Sequence, residues 1–185
     1  SAASDVYKRQ IIHRNVRMHI LNLPILYLPY LAHPDWSVRR RSGFLAPSFV
    51  VNTDLGLTAF IPYYQVIDDT RDIEFTPYRY QHRGNALKTR YRQYWDNSEL
   101  NAAIYTASVE TYKKNRELVA AVDANYAARI GNGWNVNMRL NRASQDTFMR
   151  RYKFDSSTSL KSEVVAEKLD TERYYRAEAS DIQGL

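Results

Sequence analysis

Residues 118–130 read LVAAVDANYAARI, and residues 134–141 read WNVNMRLN. In the first stretch Leu118, Ala120, Val122, Ala124, Tyr126, Ala128 and Ile130 take alternate positions, against Asp123, Asn125 and Arg129. In the second, Trp134, Val136, Met138 and Leu140 alternate with Asn135, Asn137, Arg139 and Asn141. A period of two sends every second side chain to the same side of an extended chain, so each stretch is a strand with one apolar and one polar face. The IGNGW between them supplies the Gly/Asn turn of a hairpin. These two strands set the fold class as all-β and make antiparallel pairing the simplest arrangement.

The same reading extends in both directions. Turn-forming clusters recur at residues 54–56, 68–70, 83–85, 96–98, 113–115, 131–133, 155–157 and 170–171. The segments between them run to about 10–20 residues, long for globular strands but ordinary for tilted strands of a membrane barrel. After residue 42 this gives about eight or nine strands in an antiparallel meander.

A soluble sandwich and a membrane barrel both alternate, so the kind of apolar residue must decide between them. A sandwich needs bulky side chains on its buried face. Small Ala-rich positions, with Tyr and Trp near the strand ends, fit a lipid-facing band with aromatic girdles, and the polar face would then line a lumen. The chain has 15 Tyr and 3 Trp in 185 residues, which suits such girdles. No run approaches the roughly 18 apolar residues of a spanning helix, and the mean hydropathy of −0.56 looks soluble, but barrel strands average out in the same way. The two rivals are a generic outer-membrane channel and a soluble β-protein that binds carbohydrate or nucleic acid.

With no Cys there are no disulfides and no thiolate metal sites. A net charge of +6 and a pI near 9.5 predict attraction to phosphate, whether in nucleic acid, anionic lipid or phosphorylated glycolipid. In NALKTRYRQYW, residues 85–95, a period of two puts Lys88, Arg90 and Arg92 on one face, with Leu87, Thr89, Tyr91 and Trp95 on the other. Three cations on a lumen face would hold phosphate, and a solvated charged face is the plain alternative. Stacked bases need aromatic and cationic groups on one surface, which argues against nucleic acid as partner. His13, His19, His33 and His82 lack ligand spacing, and Asp68, Asp69, Asp72 and Glu74 read as a polar turn. No catalytic residue, metal ligand or cofactor is expected.

Residues 1–10 show no periodicity and are expected to be unstructured or a non-native remnant. Residues 11–36 mix apolar alternation with Pro24, Pro29 and Pro34, as in the last strands of a preceding β-domain and a stiffened connector, with a boundary near residues 34–42. Beyond it, Pro47 and Pro62 each interrupt an apolar run that otherwise reads as a strand, where they deny the ladder a donor. A basic run, Arg39 to Arg41, lies in the connector.

Five motifs in order carry a resemblance: YLPY at 27–30, RRSGFLAP at 40–47, PYY at 62–64, TPYRYQHRG at 76–84 and QDTF at 145–148. Together they make residues 20–152 similar to the LptD family of outer-membrane lipopolysaccharide assembly proteins, with Gln145 standing where that family usually has Ser. The resemblance implies a periplasmic β-jellyroll that ends within residues 11–36. A large outer-membrane β-barrel would then begin with residues 37–185, the chain being a piece of a longer protein. It further implies lipopolysaccharide as the transported molecule, an LptE-like lipoprotein plug, an LptA-like periplasmic bridge protein, and a lateral gate whose pairing is weakened at Pro47 and Pro62. On this reading Lys88, Arg90, Arg92, Asn125, Arg129, Asn137 and Arg139 face the lumen and the glycolipid.

Overall fold

The computed structural model describes residues 2–5, 10–20, 23–34, 40–110 and 116–184, in two compact units, Ser1–Gly43 and Phe44–Leu185. The first is a three-stranded antiparallel sheet of β1 (Ala2–Asp5), β2 (Gln10–Ile20) and β3 (Leu23–Pro34). Although residues 1–10 have no periodicity, four of them pair along β2. The prolines of β3 mark its irregularities. The register shifts between Met18 and His19, beside Pro24, and Pro29 lies across from Asn15, whose φ is +55°.

The second unit is one meander. Its strands are β4 (Gly43–Phe44), β5 (Ser48–Asn52), β6 (Gly56–Phe60), β7 (Tyr63–Val66), β8 (Arg71–Tyr80), β9 (Gly84–Trp95), β10 (Ser98–Glu110), β11 (Arg116–Ile130), β12 (Trp134–Ala143), β13 (Ser159–Leu169) and β14 (Tyr174–Gly184). They form an 11-stranded antiparallel sheet in the order β14-β13-β12-β11-β10-β9-β8-β6-β5, with β7 pairing both β4 and β8. The count exceeds the eight or nine expected because two strands are each cut in two. Pro47 separates β4 from β5, and Pro62 separates β6 from β7. The turns fall where Gly, Asn and Asp clusters place them, except that residues 113–115 lie outside the described residues.

Register then fixes the two faces. Ile104 pairs with Thr89 and Val122, Ala124 with Leu140, and Met138 with Tyr126 and Val164. The apolar positions read from the sequence therefore share one face over five strands, and they are uncovered: Leu118 is 73% exposed, and Ile104, Met138, Leu140 and Val164 are exposed as well. We call this the outer face. Between β11 and β12 the turn residues Asn132 (φ +64°) and Gly133 (φ +78°) take the left-handed conformations that close the hairpin.

On the inner face a cluster forms at one end of the sheet. Tyr80, Ala103, Tyr105, Ala107, Val119 and Ala121 lie under Phe148, Met149 and Tyr152, which come from the 144–158 connection and its short helix α1 (Phe148–Arg151). Tyr152 and Phe154 stack, Tyr105 lies 4.7 Å from Phe154 between ring centroids, and Val119 is wholly buried. An amphiphilic segment of this kind has no period of two, so alternation could not reveal it. It corrects the expectation that the inner face is polar throughout.

Candidate functional site: the polar inner face and the broken hairpin

Below the aromatic cluster the inner face turns polar, in rows fixed by strand register. Asp72 pairs with Arg92, Arg92 with Asn101, Asn101 with Asn125, Asn125 with Arg139, and Arg139 with Glu163, a row across six strands. The next row sets Glu74 opposite Arg90, Arg90 opposite Ala103, and Ala103 opposite Asp123. The row above it places Lys88 between Thr76 and Tyr105. Since successive side chains on a strand alternate, all three rows point the same way.

The contacts define what these groups can do. Asp72, only 2% exposed, accepts a hydrogen bond from Arg92 Nε at 2.7 Å and another from the Tyr64 hydroxyl at 3.1 Å. Lys88 Nζ sits 5.4 Å from the centroid of the Tyr105 ring, a cation–π approach. Arg139 Nε donates to Asn125 Oδ1 at 3.1 Å. Asn101, Asn125, Asn137 and Arg139, with Glu99 and Glu163, line a hollow of about 540 Å³. Arg129 stands one hollow further along, beside Asn97, Asn135 and Asn137.

The sequence-derived residues are thus brought together in part. Asn125, Asn137 and Arg139 share one hollow, Arg129 its neighbour, and Lys88, Arg90 and Arg92 the adjoining strand. The segment around the three cations contains no acid in sequence, but pairing brings Asp72 and Glu74 from β8 against Arg92 and Arg90. The face is accordingly of mixed charge, rich in amides and able to bond to hydroxyl groups as readily as to phosphate. Asp72 and Glu74 belong to the site, and only the strand pairing, with partners 16 and 20 residues apart in sequence, could have shown it.

Pro47 and Pro62 sit together at the edge of the sheet. Gln81 N donates to Leu57 O at 2.9 Å and Arg71 O accepts from Ile67 N at 3.0 Å, so odd residues of β6 and β8 turn their backbone groups toward each other. Even residues of β6 face β5, and Pro62 O accordingly accepts from Leu45 N at 2.8 Å. Leu45 and Ser48 both face this second arm although three residues apart, so the alternation slips by one at Ala46 and Pro47, a bulge.

A third proline joins them. The ladder between β8 and the second arm runs from Thr58–Tyr80 to Phe60–Tyr78, stops, and resumes in the same register at Tyr63–Phe75. The missing rungs are Ile61 across from Pro77 and Pro62 across from Thr76. Pro77 is odd-numbered, so the donor it lacks is on the side of Ile61. The 43–66 hairpin therefore loses pairing on both flanks at one level. Pro77 keeps its pairing with Leu87 of β9 and has none on the other side, the one-sided pairing that a proline inside a sheet permits.

Asn15, Arg17, Arg40 and Arg41 all have partners, and Arg39 lies outside the described residues. Among the described residues no three His, Cys, Asp or Glu groups are placed to hold a metal ion.

Comparison with known proteins matches residues 11–183 to a family model described as LptD protein, which extends past residue 152, where sequence motifs end. The LPS-assembly protein LptD of Pseudoalteromonas translucida is 29% identical over 160 residues, 86% of this chain and 20% of that protein. That of Shewanella sp. strain MR-4 is 28% identical over 150 residues, covering 76% of this chain and 18% of the relative. That of Shewanella frigidimarina is 41% identical over 78 residues, covering 42% of this chain and 10% of the relative. The chain thus spans about a tenth to a fifth of the length of these relatives.

Proposed function

The chain belongs to the LptD family, and from that premise we propose that it forms the start of an outer-membrane barrel that passes lipopolysaccharide to the outer leaflet. The observation that carries the proposal is the division of the second unit into an uncovered apolar face and a mixed-charge, amide-rich opposite face. The apolar stretch of β11 from Leu118 to Ile130 spans twelve residue steps of about 3.4 Å, roughly 41 Å, and a tilt of about 45° reduces this to roughly 29 Å. The hydrocarbon core is about 30 Å thick. Aromatic residues gather at one end of this band: Trp95 packs edge-on to Tyr126, and Trp134 lies beside Tyr175.

Connections at that aromatic end, residues 67–70, 96–97, 131–133 and 170–173, are all short, while the opposite end carries the long 144–158 connection. In outer-membrane barrels short turns are periplasmic and long loops extracellular, which orients the sheet. The first unit, ending at Gly43, is then the end of the periplasmic jellyroll, joined through the connector to the barrel. An LptA-like bridge protein would deliver glycolipid to that jellyroll, and an LptE-like lipoprotein would fill the lumen.

Sugars and phosphates move along Lys88, Arg90, Arg92, Asn125, Arg129, Asn137 and Arg139, whose many weak, exchangeable hydrogen bonds suit a passage better than a tight site. The hairpin broken at Pro47, Pro62 and Pro77 is the flexible border through which acyl chains leave sideways. Alternation alone would also suit a generic channel, but that reading gives no reason for three prolines at one level of the first hairpin and the strand beside it. A photoreactive residue at Asn125 or Arg139 of the full-length protein, expressed in cells, should form adducts with lipopolysaccharide. If adducts are absent at both positions while the barrel is assembled, the transport reading is lost.

A further inference from the structure

Two hollows meet at the long-loop rim of the sheet, outside the passage described above. One is an apolar groove of about 680 Å³, whose lining includes Ile61, Pro77, Leu87, Thr106 and Leu118. By strand parity Pro77, Leu87, Thr106 and Leu118 belong to the outer face, so this groove opens toward hydrocarbon. The other is a basin of about 370 Å³ at the rim, with Arg79, His82, Arg83, Arg116 and Arg151 on its walls and no acidic residue among them. The two share Arg79, Asn85 and Ser108.

The charge in this basin is unbalanced. Arg79 Nη1 donates to Asn85 Oδ1 at 2.9 Å, which occupies one of its five N–H groups. Among the described residues no carboxylate lies within ion-pair distance of Arg79, Arg83 or Arg151. Arg116 has Glu110 as its register partner, which leaves Arg79, Arg83 and Arg151 as the unbalanced charges. Arg151 is supplied by the inward-packed 144–158 connection, held there by Tyr80, whose hydroxyl donates to Tyr152 O at 3.3 Å. Arginine forks match phosphate oxygens, and a groove for acyl chains directly below them matches the rest of an anionic amphiphile.

We propose that this joined groove and basin is a second glycolipid site, its groove on the membrane-facing side of the barrel and its basin on the rim at outer-leaflet headgroup level. It would hold the phosphate-bearing end of a lipopolysaccharide molecule against Arg79, Arg83 and Arg151, with acyl chains along Leu87, Thr106 and Leu118. Because Ile61 and Pro77 floor the groove, the site abuts the broken hairpin and would receive lipid that has just left the barrel. The inference rests on the transport reading and adds a place outside the lumen where the product is retained.

The test uses the full-length protein with a photoreactive residue at Thr106, and separately at Asn125 in the lumen, challenged with lipopolysaccharide in a reconstituted bilayer. Adducts are expected at both positions. Combined Arg79→Glu, Arg83→Glu and Arg151→Glu should lower the Thr106 adduct roughly a hundredfold, since each of the three basic residues near an anionic surface contributes about 1 kcal/mol, and leave the Asn125 adduct unchanged. Lipopolysaccharide stripped of its phosphates should lose the Thr106 adduct on the unaltered arginines, which covers the case in which the triple variant fails to assemble. Adducts at Asn125 with none at Thr106, phospholipid captured at Thr106 in place of glycolipid, or a Thr106 adduct indifferent to phosphate would overturn the second site alone. Loss of both adducts would instead overturn the transport reading.

Discussion

Asp72 shows how one residue can change the meaning of its neighbours. It is nearly inaccessible, bonds to both Arg92 and Tyr64, and stands in the row that leads through Asn101 and Asn125 to Arg139. A hydrogen bond to a charged group contributes about 1.5–3 kcal/mol, and neutralising Asp72 leaves the partly buried Arg92 guanidinium unmatched. Asp72→Asn should therefore lower the temperature at which the assembled barrel loses its compact electrophoretic mobility. Arg92→Gln added to it should recover part of the loss, because no unmatched guanidinium then remains. If the two changes simply add, Arg92 and Asp72 do not act as a pair. Arg90 and Glu74 face each other in register without bonding to one another, so the same cycle there should give a smaller coupling.

The first hairpin shows the same economy in a whole element. Pro47, Pro62 and Pro77 each remove a donor, and the slip at Ala46 together with the two missing rungs beside Pro77 puts the defects at one level. A net backbone hydrogen bond is worth about 0.5–1.5 kcal/mol in water and more where lipid replaces solvent. Pro47→Ala with Pro62→Ala in the full-length protein should stiffen the hairpin and slow the appearance of newly made lipopolysaccharide at the cell surface, and Pro77→Ala should deepen the effect. Surface delivery at the normal rate in the triple variant would remove any gating role. The two cut strands could be read from the sequence because proline is conspicuous inside an apolar run, and so could the faces of β11 and β12, where alternation is unbroken. Two things stayed hidden. Partners such as Asp72 for Arg92 depend on register, which a single strand does not encode, and the burial of Phe148, Met149 and Tyr152 depends on a connection with no period at all.

At the scale of the whole second unit, sidedness is the property from which the rest follows, and it can be tested without any knowledge of the lipid. Leu140 and Asn137 lie on the same strand, three residues apart, and so on opposite faces. Leu140 is exposed and lines an outer-face hollow with Ala124, Met138, Val164 and Ala179, at whose border stand Ser162 and Asp181. Asn137 borders the hollow that holds Asn125 and Arg139. A lipid-facing arginine near the bilayer midplane costs a barrel about 2–4 kcal/mol, whereas a lumen-facing one stays in water. Leu140→Arg should accordingly reduce the folded fraction of the full-length barrel in a refolding titration into lipid vesicles, and Asn137→Arg should leave it nearly unchanged. The reverse order would mean that hydrocarbon lies on the amide-rich side, and the passage, the broken border and the rim site would all have to be reassigned. Equal, small effects would mean that neither side meets hydrocarbon. The comparison is sharp because both variants add the same side chain and the same charge to the same strand, so the surroundings that receive the arginine dominate the difference.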